Sequence, residues 1–215
     1  MTHFKKGRLI TFEGVEGGGK SSNIATVCSV LADHNIDCVV TREPGGTPLA
    51  EEIREIVLKK RTETVDDKTE LLLIFAARAQ HFNGLIKPAL AEGKWVLCDR
   101  FTDATYAYQG AGRCMDFSII AQLETLVQGD VRPDLTLLFD LDVQTGLQRA
   151  KSRGALDRFE QQTIEFFERI RNFYLQRAKT QSYYRIINAA EPLETVQLTV
   201  KQATEAFIAQ QKVLE

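Results

Sequence analysis

Few residues of this 215-residue chain are of the types that build metal centres or disulfide frameworks. The four cysteines lie 10, 60 and 16 positions apart, which fits neither a CxxC pair nor a zinc site, so we expect reduced thiols. The three histidines, at positions 3, 34 and 81, are scattered and suggest no ligand cluster or catalytic triad. The composition therefore argues against a disulfide scaffold and against a zinc protein.

The chain also lacks an excess of charge of either sign and long apolar runs. Lys and Arg number 27 and Asp and Glu number 29, a net charge of −2, whereas a dedicated nucleic-acid binder is normally basic. No run of about 18 apolar residues is present, and no secretory signal precedes the first strand-like segment. We therefore expect a cytoplasmic protein without nucleic-acid or membrane partners, folded as a single domain over residues 1–215.

Short apolar runs alternate with longer segments of helical period, which is typical of βα units around a parallel sheet. The sequence predicts strands at 9–12, 38–41, 95–98, 135–141 and 185–187. It predicts helices at 19–33, 47–59, 67–91, 116–128, 143–152, 160–180 and 192–211. An arginine-rich stretch interrupted by Gly154 predicts a small mobile lid at about 149–160. The predicted class is α/β, with a five-stranded parallel sheet and helices on both faces.

Residues 14–21, Gly-Val-Glu-Gly-Gly-Gly-Lys-Ser, match the phosphate-binding pattern G-x-x-x-x-G-K-[ST]. A glycine-rich turn is the plainer interpretation, but a predicted strand before it and a helix after it favour a P-loop NTPase fold. Backbone N–H groups and Lys20 suit triphosphate oxygens, and the Ser21 hydroxyl suits Mg²⁺. DxxG and NKxD motifs are missing, which disfavours a regulatory GTPase. The predicted ATP contacts are Gly14, Val15, Glu16, Gly17, Gly18, Gly19, Lys20, Ser21 and Ser22.

Two more polar stretches follow predicted strands and should lie at the same edge of the sheet as the phosphate loop. Asp99 and Arg100 follow the third strand, and Arg42-Glu43-Pro44-Gly45-Gly46-Thr47 follows the second. The plainer interpretations are an Asp99–Arg100 ion pair and a glycine turn that opens a helix. The functional interpretation is a second anion site facing the first.

The phosphate loop is one of six motifs that occur in order over about residues 7–195. The others are Thr-Arg-Glu-Pro-Gly-Gly-Thr at 41–47, Phe-Ala-Ala-Arg at 75–78, Asp-Arg-Phe at 99–101, Ala-Tyr-Gln-Gly at 107–110 and Arg-Gly-Ala-Leu-Asp-Arg at 153–158. In this combination the chain resembles bacterial thymidylate kinases. The resemblance implies Mg²⁺-dependent transfer of a phosphoryl group from ATP to dTMP, giving dTDP for dTTP synthesis, by a homodimer.

The resemblance also implies roles for individual residues. Gly17 follows Glu16 where one subtype has an arginine, which implies the subtype whose catalytic arginines lie in the lid. Phe75 is expected to stack on thymine, Arg78 and Gln109 to bind its edge, and Tyr106 to disfavour a ribose. The implied dTMP site is Glu16, Glu43, Arg54, Phe75, Arg78, Arg100, Thr105, Tyr106 and Gln109. The implied catalytic residues are Lys20, Asp99, Arg100, Arg149, Arg153 and Arg158, with Ser21 and Asp99 at the metal.

Several of these assignments have plainer alternatives. Phe75 also fits core packing, Arg54 an exposed ion pair with Glu51, and the lid arginines a solvated face. Residues 71–77 fit either a dimer interface or an ordinary buried helix, and residues 188–190 fit either an adenine contact or a turn. The competing functions are a kinase that phosphorylates a deoxynucleoside and a nucleotide-binding regulatory module without acceptor chemistry.

Overall fold

Five parallel strands form one sheet in the computed structural model, which describes residues 6–152 and 157–214. The strands are β1 (Leu9–Glu13), β2 (Cys38–Arg42), β3 (Trp95–Asp99), β4 (Leu135–Asp140) and β5 (Tyr184–Asn188). Their order across the sheet is β2-β3-β1-β4-β5, and every neighbouring pair is parallel. The predicted five-stranded parallel sheet is confirmed, and each predicted strand end lies within one residue of the observed end.

Helices fill the connections between the strands. They are α1 (Lys20–Asp33), α2 (Pro48–Leu58), α3 (Asp67–His81), α4 (Lys87–Ala91), α5 (Thr102–Thr105), α6 (Phe117–Gln128), α7 (Val143–Lys151), α8 (Ile164–Thr180) and α9 (Leu193–Leu214). π-Helical turns occur at Phe82–Ile86 and Tyr106–Gly112. None of the helices in the described ranges is long and apolar enough to cross a membrane.

Each of the seven predicted helices has an observed counterpart in approximately the predicted place, with three differences. The predicted helix 67–91 contains the π-helical turn 82–86, because Pro88 has no N–H to donate and its ring crowds the carbonyl four residues before it. The predicted helix from 160 begins at Ile164, where the Thr163 hydroxyl accepts a hydrogen bond from the Phe166 N–H. The short helical stretch from 102 to 112 had no predicted counterpart.

Alternate residues of β3 show that both faces of the sheet are covered. Trp95 and Leu97 belong to the main core, where the Trp95 ring meets Phe207 of α9 edge to face at 5.5 Å. Val96 and Cys98 point to the opposite face and pack in a smaller cluster with Phe82 and other residues of the segment from 82 to 101. The predicted placement of helices on both faces of the sheet is therefore confirmed.

The register of the strands brings three polar stretches to one edge of the sheet. Phe12 pairs with Asp99 across β1 and β3, and Arg42 pairs with Asp99 across β2 and β3. Arg100 then turns in a left-handed conformation, with φ of 67°, and its N–H donates to the Phe12 carbonyl at 3.0 Å. The phosphate loop, the residues after β2 and the residues after β3 consequently face one another.

A fully buried carboxyl lies directly beneath this edge. Glu13 accepts hydrogen bonds from the Phe101 N–H at 2.8 Å and from the Tyr174 hydroxyl of α8 at 2.6 Å. Burial raises the pKa of Glu13 to about 8, although the Tyr174 bond and the Arg100 charge act in the opposite direction. A largely neutral Glu13 therefore ties the turn after β3 to α8 at neutral pH.

We predict that Glu13 makes the stability of the fold depend on pH. Its pKa is raised on folding, so its contribution to the free energy of unfolding is fully present below pH 4.5 and is lost as the pH rises to about 8. Glu13→Gln keeps a neutral group of the same shape, so its stability relative to the unmodified protein should rise between pH 5 and pH 8. The expected gain is a few kcal/mol, at about 1.4 kcal/mol per pKa unit.

Urea unfolding at several pH values measures this difference. Glu194→Gln, at an exposed position in the first turn of α9, is the control for the change of residue type. A stability difference for Glu13→Gln that stays constant with pH would contradict the prediction.

Candidate active site

A cavity of about 450 Å³ opens where the three polar stretches meet. Its walls combine the phosphate loop, the ends of β2 and β3, and one face each of α2, α3 and the helical stretch 102–112. Among the predicted site residues, those that line it are Glu16, Gly17, Gly18, Gly19, Lys20, Ser21, Glu43, Arg54, Arg78, Asp99, Arg100, Thr105 and Gln109. The fold thus gathers predicted site residues separated by up to 93 positions, from Glu16 to Gln109, around one space.

The phosphate loop has the backbone shape that anion binding requires. Gly17 and Gly19 have φ of 75° and 77°, in the left-handed region. A Cβ on Gly17 would collide with the carbonyl of Gly146 in α7, so the loop and α7 touch through backbone alone. α1 begins at Lys20 without a side-chain cap, which leaves its first N–H groups and the positive end of its dipole facing the cavity.

Lys20 curls back over the phosphate loop. Its Nζ donates to the carbonyls of Gly14 and Val15 at 3.1 and 3.0 Å. Burial, and after it the nearby Arg100 charge, lower the pKa of Lys20. Of the other predicted loop contacts, Val15 packs in the core and Ser22 is exposed outside the cavity. Gly14 takes part through its backbone carbonyl, which accepts hydrogen bonds from Lys20 and Arg100.

Asp99 and Arg100 do not form the ion pair that was the plainer interpretation of their sequence, as far as the described residues show. Arg100 instead pairs with Glu16 and donates from Nη1 to the Gly14 carbonyl at 3.0 Å. Asp99 keeps a buried Oδ1 with no hydrogen-bond partner among the described residues. A buried acceptor beside the Ser21 end of the phosphate loop is chemically suited to a hydrated cation.

Tyr108 stands against the same ion pair. The Arg100 guanidinium carbon lies 4.8 Å from the centre of the Tyr108 ring, and the Tyr108 hydroxyl donates to Glu16 at 3.0 Å. Tyr108 lines the cavity, although it was not among the predicted site residues. The signal that contained it was the motif at 107–110, next to the predicted Gln109.

Arg78 is held from three sides at the far end of the cavity. Its Nε donates to Glu43 at 2.6 Å, and its Nη2 donates to the Thr105 hydroxyl and the Phe101 carbonyl at 2.9 and 3.2 Å. Its Nη1 is buried and has no hydrogen-bond partner among the described residues. A fixed, unsatisfied donor in a cavity wall is suited to an acceptor atom of a ligand.

Glu43, predicted as a dTMP contact, is mainly an anchor for Arg78. It also accepts from His81 Nδ1 at 3.0 Å, while His81 Nε2 lies 2.6 Å from the Thr41 hydroxyl. Burial opposes ionisation of Glu43, but Arg78 and His81 hold its pKa below the ordinary value. The ionised Glu43 therefore fixes Arg78 within the cavity wall.

Arg54 and Gln109 both reach the cavity. Arg54 donates to the Pro44 carbonyl at 2.8 Å, whereas Glu51 pairs with Arg42 at 2.8 Å. The plainer interpretation of Arg54, an ion pair with Glu51, is therefore wrong for the described residues. Gln109 donates from Nε2 to Glu70 at 2.8 Å. No sequence signal had singled out Glu70.

Two predicted base contacts lie outside the cavity wall. Phe75 packs in a cluster with Leu71, Tyr106 and Ile120, and Ile74 lines the cavity instead. Residues four positions apart on a helix differ by roughly 40° in direction, and residues three positions apart differ by roughly 60°. Ile74 therefore lies closer to the Arg78 face of α3 than Phe75 does. The Phe75 ring contacts the Arg78 guanidinium, whose carbon lies 4.8 Å from the ring centre, and its stacking on a base stays a prediction.

Tyr106 points away from the cavity as well. Its ring stacks on Phe173 at 6.4 Å, and its hydroxyl donates to Glu124 at 2.6 Å. The backbone from 106 to 112 is π-helical, with a wider turn than the α-helical spacing that the prediction assumed. This turn directs Tyr108 and Gln109 towards the cavity and Tyr106 towards α6 and α8.

The predicted lid arginines point in different directions. Arg149 donates to the Ala189 carbonyl at 2.9 Å and lines a second depression beside Gly18 and Gly19. Arg158 donates to the Val57 carbonyl at 2.9 Å and pairs with Glu70 at 2.6 Å, so it faces α2 and α3 and not the phosphate loop. Arg153 lies outside the described residues. Arg149 is exposed, as the plainer interpretation of a solvated face has it, whereas Arg158 is half-buried.

Comparisons with known proteins agree with this geometry. Residues 12–200 match the family described as "Thymidylate kinase". A thymidylate kinase of Teredinibacter turnerae is 56% identical over 203 residues, which cover 94% of this chain and 99% of that protein. A thymidylate kinase of Pseudomonas putida is 58% identical over 192 residues, which cover 89% of this chain and 91% of that protein.

A solved structure is similar as well. The crystal structure of thymidylate kinase from Ehrlichia chaffeensis superposes with a TM-score of 0.73 at 35% identity and covers 92% of this chain and 98% of that chain. This similarity confirms the predicted P-loop NTPase fold. Because the family match spans most of the sequence and relatives share more than half of their residues with it, the chain belongs to the thymidylate kinase family.

Proposed function

We propose that this chain transfers the γ-phosphoryl group of ATP to dTMP, giving dTDP and ADP, with Mg²⁺ as cofactor, for dTTP synthesis in the cytoplasm. The observation that carries the proposal is the single cavity that runs from the phosphate loop to Arg78 and Gln109. Such a cavity has room for a triphosphate at one end and a nucleobase at the other. Arg100 stands between the two ends, bound to both the loop carbonyl of Gly14 and the Glu16 carboxylate.

The chemistry requires alignment and charge neutralisation more than proton transfer. A phosphate monoester is largely dianionic near neutral pH, so the acceptor needs no strong general base. Two anions must nevertheless approach each other within the cavity. Arg54 and Arg100 are the cations that would hold the acceptor phosphate, and Lys20 would hold the donor.

Asp99 and Ser21 fit the Mg²⁺ of this reaction. Asp99 has a buried oxygen without a partner among the described residues, and both residues line the cavity. No cluster of three or more His, Cys, Asp and Glu suited to a metal occurs in the described ranges, which agrees with an ion held largely by phosphates and water. When bound, Mg²⁺ would neutralise negative charge on the phosphates. Asp99 and Ser21 would orient it.

Base and sugar recognition follow from the far end of the cavity. The free Nη1 of Arg78 suits the O4 acceptor of thymine, and the Gln109 amide oxygen suits the N3–H donor. Thr105 closes the wall beside Arg78. Tyr108 takes the role that the resemblance had given to Tyr106, because its ring borders the cavity and is fixed by Glu16 and Arg100.

The second depression supports an adenine site for the donor. It is lined by Gly18, Gly19, Arg149, Ala189 and Ala190 and adjoins the phosphate loop. It includes part of the segment 188–190 that was an open alternative in the sequence. Arg153 stays a predicted catalytic residue of the lid, and Arg158 serves as an anchor in the described arrangement.

The proposal predicts that dTMP is the preferred acceptor. With ATP and Mg²⁺ in a coupled assay for ADP, kcat/KM should be highest for dTMP among dTMP, dUMP, dCMP, dGMP and AMP, and thymidine should give no product. Chelating Mg²⁺ should abolish turnover. Lys20→Met should lower turnover by about 10²-fold or more. The same variant, purified in the same way, is the control for contaminating kinases. Preference for thymidine or another monophosphate, or ATP binding without turnover, would contradict the proposal.

A pair of tyrosine variants tests which ring faces the sugar. Tyr108→Leu removes the ring at the cavity wall and should raise the relative kcat/KM for ribothymidine monophosphate over dTMP by about 10-fold. Tyr106→Leu is the matched control, because its ring packs against α6 and α8, and it should change stability without changing this ratio. The reverse result would restore the role of Tyr106.

Apolar exposure on three packed helices supports a homodimer. α2 packs on α3, and α3 packs on α6. Each exposes a large apolar side chain: Ile56 is 46% exposed, Leu72 58% and Ile119 39%. Leu72 lies in the apolar segment 71–77 that the sequence offered as an interface. Exposed apolar side chains on adjoining helices are typical of a surface that pairs with a second copy.

We expect Leu72→Glu to convert the dimer into a monomer, because it places a charge at the centre of an apolar surface. Light scattering coupled to size-exclusion chromatography measures the mass of both proteins. Val213→Glu, at a position 85% exposed near the end of α9, is the control and should leave the mass unchanged. A monomeric unmodified protein would overturn the dimer proposal.

A further inference from the structure

Glu70 is a buried carboxylate that the proposed reaction does not use. It lies in the first turn of α3, and its side chain has no exposed surface. Both of its oxygens accept hydrogen bonds, and the donors come from separate parts of the chain. Burying a carboxylate is costly unless charged partners surround it, so this arrangement fixes the positions of all its donors.

One oxygen of Glu70 determines how Gln109 faces the cavity. Oε1 accepts from Gln109 Nε2 at 2.8 Å and from Arg113 Nε at 3.3 Å. A carboxylate that pairs with two arginines serves as an acceptor, so the side of the Gln109 amide that meets it has to be the NH₂ group. No described residue donates to the amide oxygen, which is therefore left for a ligand.

The other oxygen of Glu70 anchors Arg158, near the C-terminal end of the predicted lid. Oε2 lies 2.6 Å from Arg158 Nη2 and 3.1 Å from Arg113 Nη2. The Arg158 guanidinium carbon lies 4.7 Å from the centre of the Phe159 ring, and Phe159 lines the cavity. A single carboxylate thus connects a residue of the base site with the root of the lid.

We propose that Glu70 is a positioning residue, which orients the Gln109 amide to select a base with an N–H donor and couples this selection to the segment that carries Arg158. Thymine and uracil carry a donor at N3, whereas cytosine presents an acceptor there. With Glu70 paired to Arg113 and Arg158 and accepting from Gln109, the Gln109 oxygen and the Arg78 donor match the first pair of bases and oppose cytosine. The inference rests on the proposed function, since it assumes that Gln109 contacts the base.

Glu70→Gln tests the orientation. Glutamine offers either a donor or an acceptor to Gln109, so the Gln109 amide loses its single orientation. Calorimetry gives the dissociation constants of dTMP and dCMP, and we expect the preference for dTMP to fall by about 10-fold or more. Glu124→Gln is the matched control, because Glu124 is also buried and bonded to Tyr106 and Arg132 but lies outside the cavity wall. It should keep the preference.

Limited proteolysis tests the coupling. Binding of dTMP should slow tryptic cleavage after Arg158 several-fold in the unmodified protein and in Glu124→Gln. The same protection should be lost in Glu70→Gln and Gln109→Ala. An unchanged dTMP preference in Glu70→Gln would overturn the orienting role, and retained protection would overturn the coupling. Failure of the proposed function has a separate signature, the lack of dTDP formation by the unmodified protein in the acceptor assay.

Discussion

Buried and half-buried acceptors hold the cationic groups of this molecule in place. Each of the four arginines in the cavity wall has an oxygen acceptor: Glu51 for Arg42, the Pro44 carbonyl for Arg54, Glu43 for Arg78, and Glu16 for Arg100. A long cationic side chain loses considerable conformational freedom when it is fixed. Arginines that are already fixed can bind the two anionic substrates without rearranging. The acceptors provide that fixed geometry before a ligand arrives.

The same acceptors explain how a chain of net charge −2 can carry a strongly cationic site. The carboxylates of Glu16, Glu43 and Glu51 lie in and behind the cavity wall, where they pair with three of the four arginines and leave donors such as Arg78 Nη1 for the ligand. Net charge averages over the molecule and hides this arrangement. A net charge of −2 argues against the binding of a long polyanion, but it does not argue against the binding of two nucleotides.

Local sequence patterns predicted the sheet, the phosphate loop and the edge at which the site forms. Apolar strands and glycine-rich turns depend on neighbours in the chain, so β1, β3 and the phosphate loop at residues 14–21 could be predicted from the sequence. The directions of Phe75 and Tyr106 were not, because they depend on small differences in helical angle and on the π-helical turn at 106–112. Partners such as Glu70 for Gln109 are 39 positions apart and carry no local signal.

The resemblance of six motifs to a known family supplied most of the residue roles, and the predicted residues reach the cavity most consistently where backbone geometry defines the position. Lys20, Asp99 and Arg100 follow strands or open a helix, and the cavity includes all three. Where a role depends on side-chain direction, a motif locates the residue that carries the role only to within one or two positions. Tyr108 beside the predicted Tyr106, and Ile74 beside the predicted Phe75, illustrate that limit.

The contact between Gly17 and Gly146 sets a boundary for motion. The two backbones meet without a side chain between them, because a Cβ on either glycine would collide with the other segment. α7 is thereby fixed to the loop that holds the donor phosphates, and it forms part of the rigid frame. We therefore expect any closing movement over the nucleotides to hinge C-terminal to Gly146, and a larger residue at either glycine would have to separate α7 from the phosphate loop.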